Sequence, residues 1–194
     1  MRRTIIALVT LALCVAGGFA TATVLGAGAD GSPAPKPAGG LDLGAKPGSD
    51  SVESRQADPA GRGPDWGVVV FTARNGHACA AAGPIAGGRV GARRRDGTIA
   101  PYPIDEGASC VDLDAVPAGA QVTMGTGAGA RTVVHGVAGP DVASVTLTTP
   151  QGARDLRIGP RGSFLAVLDA ADAALGDVKL SARLHSGASR QLLG

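Results

Sequence analysis

From Ala143 to Thr148 apolar and polar side chains alternate without interruption. Ala143, Val145 and Leu147 fall on one side of an extended chain and Ser144, Thr146 and Thr148 on the other. A period of two marks a strand with one buried face. Thr149-Pro150-Gln151-Gly152 follows, a turn in which proline presets φ and glycine accepts a positive one. The chain then returns through Leu156 and Ile158 with Asp155 and Arg157 opposite, so the pattern predicts a β-hairpin. The clearest amphipathic strand comes later, where Val178, Leu180, Ala182 and Leu184 alternate with Lys179, Ser181 and Arg183. Val133, His135 and Val137 share one face of another strand, which Gly139-Pro140 ends. Phe164 to Leu168 is apolar on both faces and predicts a central strand. Between these, Asp169 to Gly176 is alanine-rich, with Asp at its start and Gly at its end, and fits one or two turns of helix.

The front half carries the same kind of signal with more turns. Val68 to Phe71, just after Trp66, is β-branched or aromatic on both faces, as in a strand covered on both sides. Asn75-Gly76 is the strongest short-range hairpin dipeptide, because a type I′ turn needs positive φ at both positions. A two-residue loop there sets Thr72 opposite Cys79 and Val70 opposite Ala81, with Cys79 on the Val70 face. Gly87-Gly88 predicts a second tight turn between Ile85 and Val90, and Arg93-Arg94-Arg95-Asp96-Gly97 a polar loop before Ile99. Pro101 and Pro103, around Tyr102, confine their segment to a sheet edge or irregular coil. A short strand is expected from Gln121 to Met124, after an acidic bend at Val111 to Asp114.

Composition sets the compartment and the size of the core. Met1-Arg2-Arg3 and the apolar run to Ala29 have the charged start and hydrophobic body of an export segment, either a cleaved signal or an uncleaved signal anchor. Residues 30–63 are Gly, Pro, Ala, Ser and scattered charge, and are expected to be a disordered linker. Residues 64–194 remain for an extracytoplasmic β domain. With 31 glycines but only one Trp, one Tyr and three Phe in 194 residues, its core is built from small side chains. A net charge of +2 is too small to draw the chain to nucleic acid or anionic lipid by its overall field. Membrane contact is expected only through residues 4–29, if they are not removed.

Candidate chemistry is sparse. Cys79 and Cys110 are the only cysteines beyond the export segment, and in an oxidising compartment an even pair predicts a disulfide. His77 lies near Cys79, but two donors do not make a metal site, and neither metal nor cofactor is expected. Gly125 to Ala130 formally matches a relaxed dinucleotide fingerprint, yet the β-branched sequence after it opens no helix. His77, His135 and His185 stand without a nucleophile motif, and His135, between Val133 and Val137, reads as a hydrogen-bonded wall residue. Asp112 and Asp114 share a face without the spacing of a calcium loop. Arg89 and Arg93, Arg94 and Arg95 form the basic cluster, a candidate surface for an anionic polymer or a partner, with Trp66 or Tyr102 as a candidate aromatic anchor. Nucleic-acid binding would want aromatic platforms among the arginines, and these are missing.

The run Val137-Ala138-Gly139-Pro140-Asp141-Val142-Ala143-Ser144-Val145-Thr146-Leu147, behind an export segment and an Ala/Gly/Pro linker, resembles uncharacterised extracytoplasmic β-domain proteins of high-GC actinobacteria. The resemblance implies a β-sandwich-like module and assigns no functional residue. The sequence therefore predicts an all-β antiparallel sandwich, immunoglobulin-like or related, with room for one short helix and for a small separate N-terminal sheet. Its expected role is that of a non-catalytic binding or spacer module of the cell envelope, its partner an envelope component or protein. The alternative is a small secreted hydrolase with a histidine-based site.

Overall fold

The computed structural model describes residues 51–94, 96–101, 107–125, 130–169 and 175–193. Their regular structure is β-strand apart from two 3-10 turns, at Pro160–Gly162 and Leu175–Asp177. The second turn lies where a short helix was expected, and residues 170–174 of that stretch are outside the described set. Three antiparallel sheets result.

The first sheet is a separate N-terminal one, as the pattern allowed. It comprises β1 (Ser54–Gln56), β2 (Trp66–Thr72), β3 (Ala78–Ala86), β4 (Arg89–Arg93) and β5 (Ile99–Pro101) in that order, with β6 (Ser109–Val111) paired to the start of β3. Pro101 ends β5, the last strand in that order, and an edge strand is where proline is tolerated. The middle sheet has the order β11 (Ser163–Asp169), β8 (Arg131–Ala138), β7 (Ala118–Met124). The third has the order β10 (Gly152–Leu156), β9 (Val142–Thr149), β12 (Lys179–Leu184), β13 (Ser189–Leu193).

Turn chemistry fixes the registers. Gly87 and Gly88 both have positive φ, and Ala86 faces Arg89, as expected of a two-residue loop. The Asn75-Gly76 hairpin differs from expectation. The Gly76 N–H donates to the Ala73 carbonyl and the Ala73 N–H to the His77 carbonyl, so three residues form the loop and only Gly76 has positive φ. The Asn75 side chain accepts the His77 N–H at 3.1 Å, which suits a type I turn followed by a left-handed glycine rather than type I′. The extra residue moves the register by one. Cys79 therefore faces Phe71, and Val70 faces Ala80. Because side chains alternate, that single step puts Cys79 with Phe71 and Ala73 instead of with Val70. The loops Arg94 to Thr98 and Leu184 to Ala188 close with the same bonds, around Gly97 and Gly187.

Strand β8 is buried at every position, although its sequence announced one apolar face. The reason is its place between layers. Val134 and Ala138 join Val145, Leu147, Phe164 and Leu180 in one cluster, whereas Val137, on the opposite face, packs with Val68, Val70 and Ala80 of the first sheet. Gly136 is required at the crossing, since a Cβ there would overlap the Gly119 carbonyl and the Phe164 ring. Strand β11, expected to be central, is covered on both faces but ends its sheet. Its free edge is closed from an unexpected quarter. The Gln56 side-chain amide donates to the Val167 carbonyl at 2.9 Å and accepts the Val167 N–H at 3.0 Å, as a neighbouring strand would.

That contact corrects the linker boundary. Residues 51–63 belong to the folded body, with β1 paired to β2 from Ser54↔Val68 to Gln56↔Trp66. Their apolar content is too low to reveal this, because they are held by polar side chains. Ser54 and Ser163 share a hydroxyl–hydroxyl bond of 2.8 Å, and Glu53 pairs with Arg161.

Candidate functional site

The first fastening is covalent. Cys79 and Cys110 stand directly opposite each other on β3 and β6 and form a disulfide, as expected from the cysteine count. Neither is therefore a thiol nucleophile in this state. Their neighbours, Phe71 and Ala73, make the site an apolar wall.

The basic cluster lies on β4 and the loop after it. Arg89 and Arg93 are four residues apart on one strand, so they leave the same face, and both are exposed, as is Arg94. Asp96 sits within that loop. Its carboxylate accepts from the Thr98 hydroxyl at 2.6 Å and the Thr98 N–H at 2.9 Å, which lowers its pKa, with a smaller contribution from Arg94. Arg95 and Tyr102 are outside the described residues. Trp66 is half-buried at the start of β2, opposite Pro84. Beside β4, position 83 of β3 is glycine, because a Cβ there would overlap the Gly91 carbonyl oxygen. Backbone thus lies against backbone there.

The histidines do not converge. His77 ends the turn just before β3 and is half-buried, His185 is exposed in the β12–β13 loop, and His135 is 1% exposed at the centre of β8. Burial lowers the His135 pKa to about 4, with the Ala80 backbone opposing it. Both ring nitrogens are buried and find no close hydrogen-bond partner among the described residues. The expected wall residue is present without the expected hydrogen bond. Asp112 and Asp114 are exposed, and the Asp112 carboxylate accepts the Asp114 N–H at 3.0 Å, which makes the acidic bend a solvated turn. Among the described residues no three His, Cys, Asp or Glu side chains gather as a metal site would require. Of the glycine-rich loop, residues 126–129 are outside the described set, but Arg131 onward is strand rather than the helix a dinucleotide would need.

A buried ion pair was not foreseen. Asp58, in the stretch assigned to the linker, receives Arg131 Nε at 2.6 Å and Nη2 at 3.0 Å, and both side chains are covered. The Arg62 and Gly63 N–H groups also donate to Asp58, at 3.1 and 3.0 Å. The guanidinium hydrogen bond, chiefly, lowers the Asp58 pKa to about 2 against the opposing effect of desolvation. Arg131 is raised in return, mainly by the same bond, with Asp169 contributing from 3.7 Å. A local sign existed only in the turn-forming Pro59-Ala60-Gly61 after Asp58. A shallow hollow of about 210 Å³, lined by Thr149, Gln151 to Arg154 and Leu168, adds no group able to do acid–base work. Comparison with family models, with curated proteins and with solved structures gives no match to this chain.

Proposed function

We propose that the protein is a non-catalytic extracytoplasmic module of the cell envelope, exported by residues 1–29, that binds or spaces an envelope component. The observation that carries this reading is the Cys79–Cys110 disulfide, since such bonds persist in oxidising compartments and are rare in the cytosol. The apolar alternation of β9 and β12, packed on the inner face of β8 and β11, supports a sandwich-like reading of these two sheets, immunoglobulin-like or related. The likeness of residues 137–147 to exported actinobacterial β domains points the same way. A hydrolase reading loses its best candidate base, because an enclosed His135 cannot reach a substrate in water.

The binding face in this proposal is β4 and its loop, where Arg89, Arg93 and Arg94, with Arg95 in sequence, offer cationic groups to an anionic envelope polymer. The test is retention of the exported protein on isolated envelope material across a salt series, against an Arg93→Ala/Arg94→Ala/Arg95→Ala variant. Retention of the parent should fall with salt, and the variant should bind more weakly. Equal retention of both would remove the arginines from the account. A reporter joined to residues 1–63 that stays active only in the cytoplasm would sink the export reading.

A further inference from the structure

Two unpartnered polar side chains of the middle sheet are neighbours. Gln121 on β7 and His135 on β8 stand directly opposite each other in the ladder, so their side chains leave the same face. The Gln121 Oε1 and both His135 ring nitrogens are buried and find no hydrogen-bond partner among the described residues. That face carries Val137 into contact with the first sheet, so the pair lies at the junction of two layers. Val137, two residues along the same face, packs in a small apolar cluster with Val68 and Val70 of β2 and Ala80 of β3, while Leu165 of β11 stands opposite His135 and the Ala80 backbone acts on its ring. None of these bears a charge. On β8 itself the nearest charged residue is Arg131, which is committed to Asp58. Gln121 is only partly buried, so the pair reaches from the interior to the rim of the sheet.

A buried donor or acceptor left bare is costly, and such groups are commonly satisfied by an internal water. We propose that Gln121 and His135 hold an internal water molecule between β8 and β3, and that this junction is where the first and middle sheets part when the imidazole takes up a proton. The neutral ring donates one N–H to the water, and the water donates to Gln121 Oε1. A protonated ring has two donors and no anion; the Ala80 backbone favours it in part, and the rest of the relief must come from solvent. Opening at this junction admits it. The third sheet, on the other face of β8, is not involved, because Val134 and Ala138 rather than His135 contact it.

Hydrogen exchange of the full chain, corrected for the intrinsic rate, tests the second clause. Protection of β3 amides should fall by about tenfold per pH unit as pH drops from 6.5 towards 4, the interval between the ordinary and the buried histidine values. Protection of β9 and β12 should not follow it. His135→Phe should remove the pH dependence in β3. Loss spread equally over all three sheets, or an unchanged response in His135→Phe, would overturn the switch. Should that variant not fold, Gln121→Leu is the second: it keeps the histidine and should keep the pH response. For the first clause, a magnetisation-transfer signal from a long-lived water to the His135 ring should be present in the parent and lost in Gln121→Leu. Its absence from the parent would overturn the hydrated site.

Discussion

The first and third sheets of this protein are stabilised by different means. Sheet β10-β9-β12-β13 uses its amphipathic faces, with Val145, Leu147, Leu180 and Ala182 buried against Val134, Phe164 and Ala166. Sheet β1 to β6 has a strand of Ala80, Ala81, Ala82 and Gly83 at its centre, and small side chains bury little area. Beside that strand β2 buries Val68 to Phe71, and the sheet is held further by specific fastenings: a disulfide, backbone pressed on backbone at Gly83, and a polar strap from Glu53 to Asp58. The lesson is that burial is spread over many residues and tolerates change, whereas fastenings concentrate stability in a few atoms. Reduction or acid should therefore act on the first sheet before the third.

The largest effect should come from the shared core. Phe164→Ala leaves a void between the middle and third sheets and should cost about 4 kcal/mol in denaturant unfolding. A loss below about 1 kcal/mol would mean that the core repacks and that the contrast is false. Next, replacing Cys79 and Cys110 by alanine should cost about 3 to 4 kcal/mol through the freed loop of the unfolded chain. Exchange protection should be lost in β2, β3 and β6 first, and uniform loss would show that the first sheet has no separate weakness. Asp58→Asn should cost about 2 kcal/mol by leaving the Arg131 guanidinium without its anion. Limited proteolysis after residue 57 reports it, and resistance equal to the parent would show that the strap does not depend on the pair. Because the Asp58 pKa is lowered from 3.8 to about 2, its contribution is present above pH 3.8 and lost as pH falls through 2. This acid step should vanish in Asp58→Asn and should lie below the His135 step. The smallest effect is expected at Arg93→Ala with Arg94→Ala, within about 0.5 kcal/mol of the parent in thermal unfolding, since both are exposed.

Much of the architecture was legible from the sequence because its signals are local. Strict alternation marked β9 and β12, both-face apolar runs marked β2 and β11, and Gly87-Gly88 announced its turn. The cysteine pair could be read from number, since Cys79 and Cys110 are the two cysteines beyond the apolar N-terminal run. Other features depend on partners far along the chain. Gln56 and Asp58 look like linker residues until Val167 and Arg131 are brought to them, across sequence separations of 111 and 73. Asn75-Gly76 is compatible with two loop lengths, and the choice between them moved Cys79 from one face to the other. The chemistry of the candidate site was the least visible, because an isolated histidine or glutamine in a strand carries no sign of what lies across the ladder.

The sequence by itself determined that this chain makes antiparallel strands, where most of them run, and which cysteines can join. Period-two patterning and turn residues act over a few positions, and those positions are written consecutively. Only the tertiary structure decided that β8 is covered on both faces, that residues 51–63 belong to the folded body, and that His135 and the Gln121 side-chain oxygen face each other across the ladder without partners among the described residues. Each of these depends on which layer arrives over a given face, a matter of packing between distant segments on which local alternation is silent.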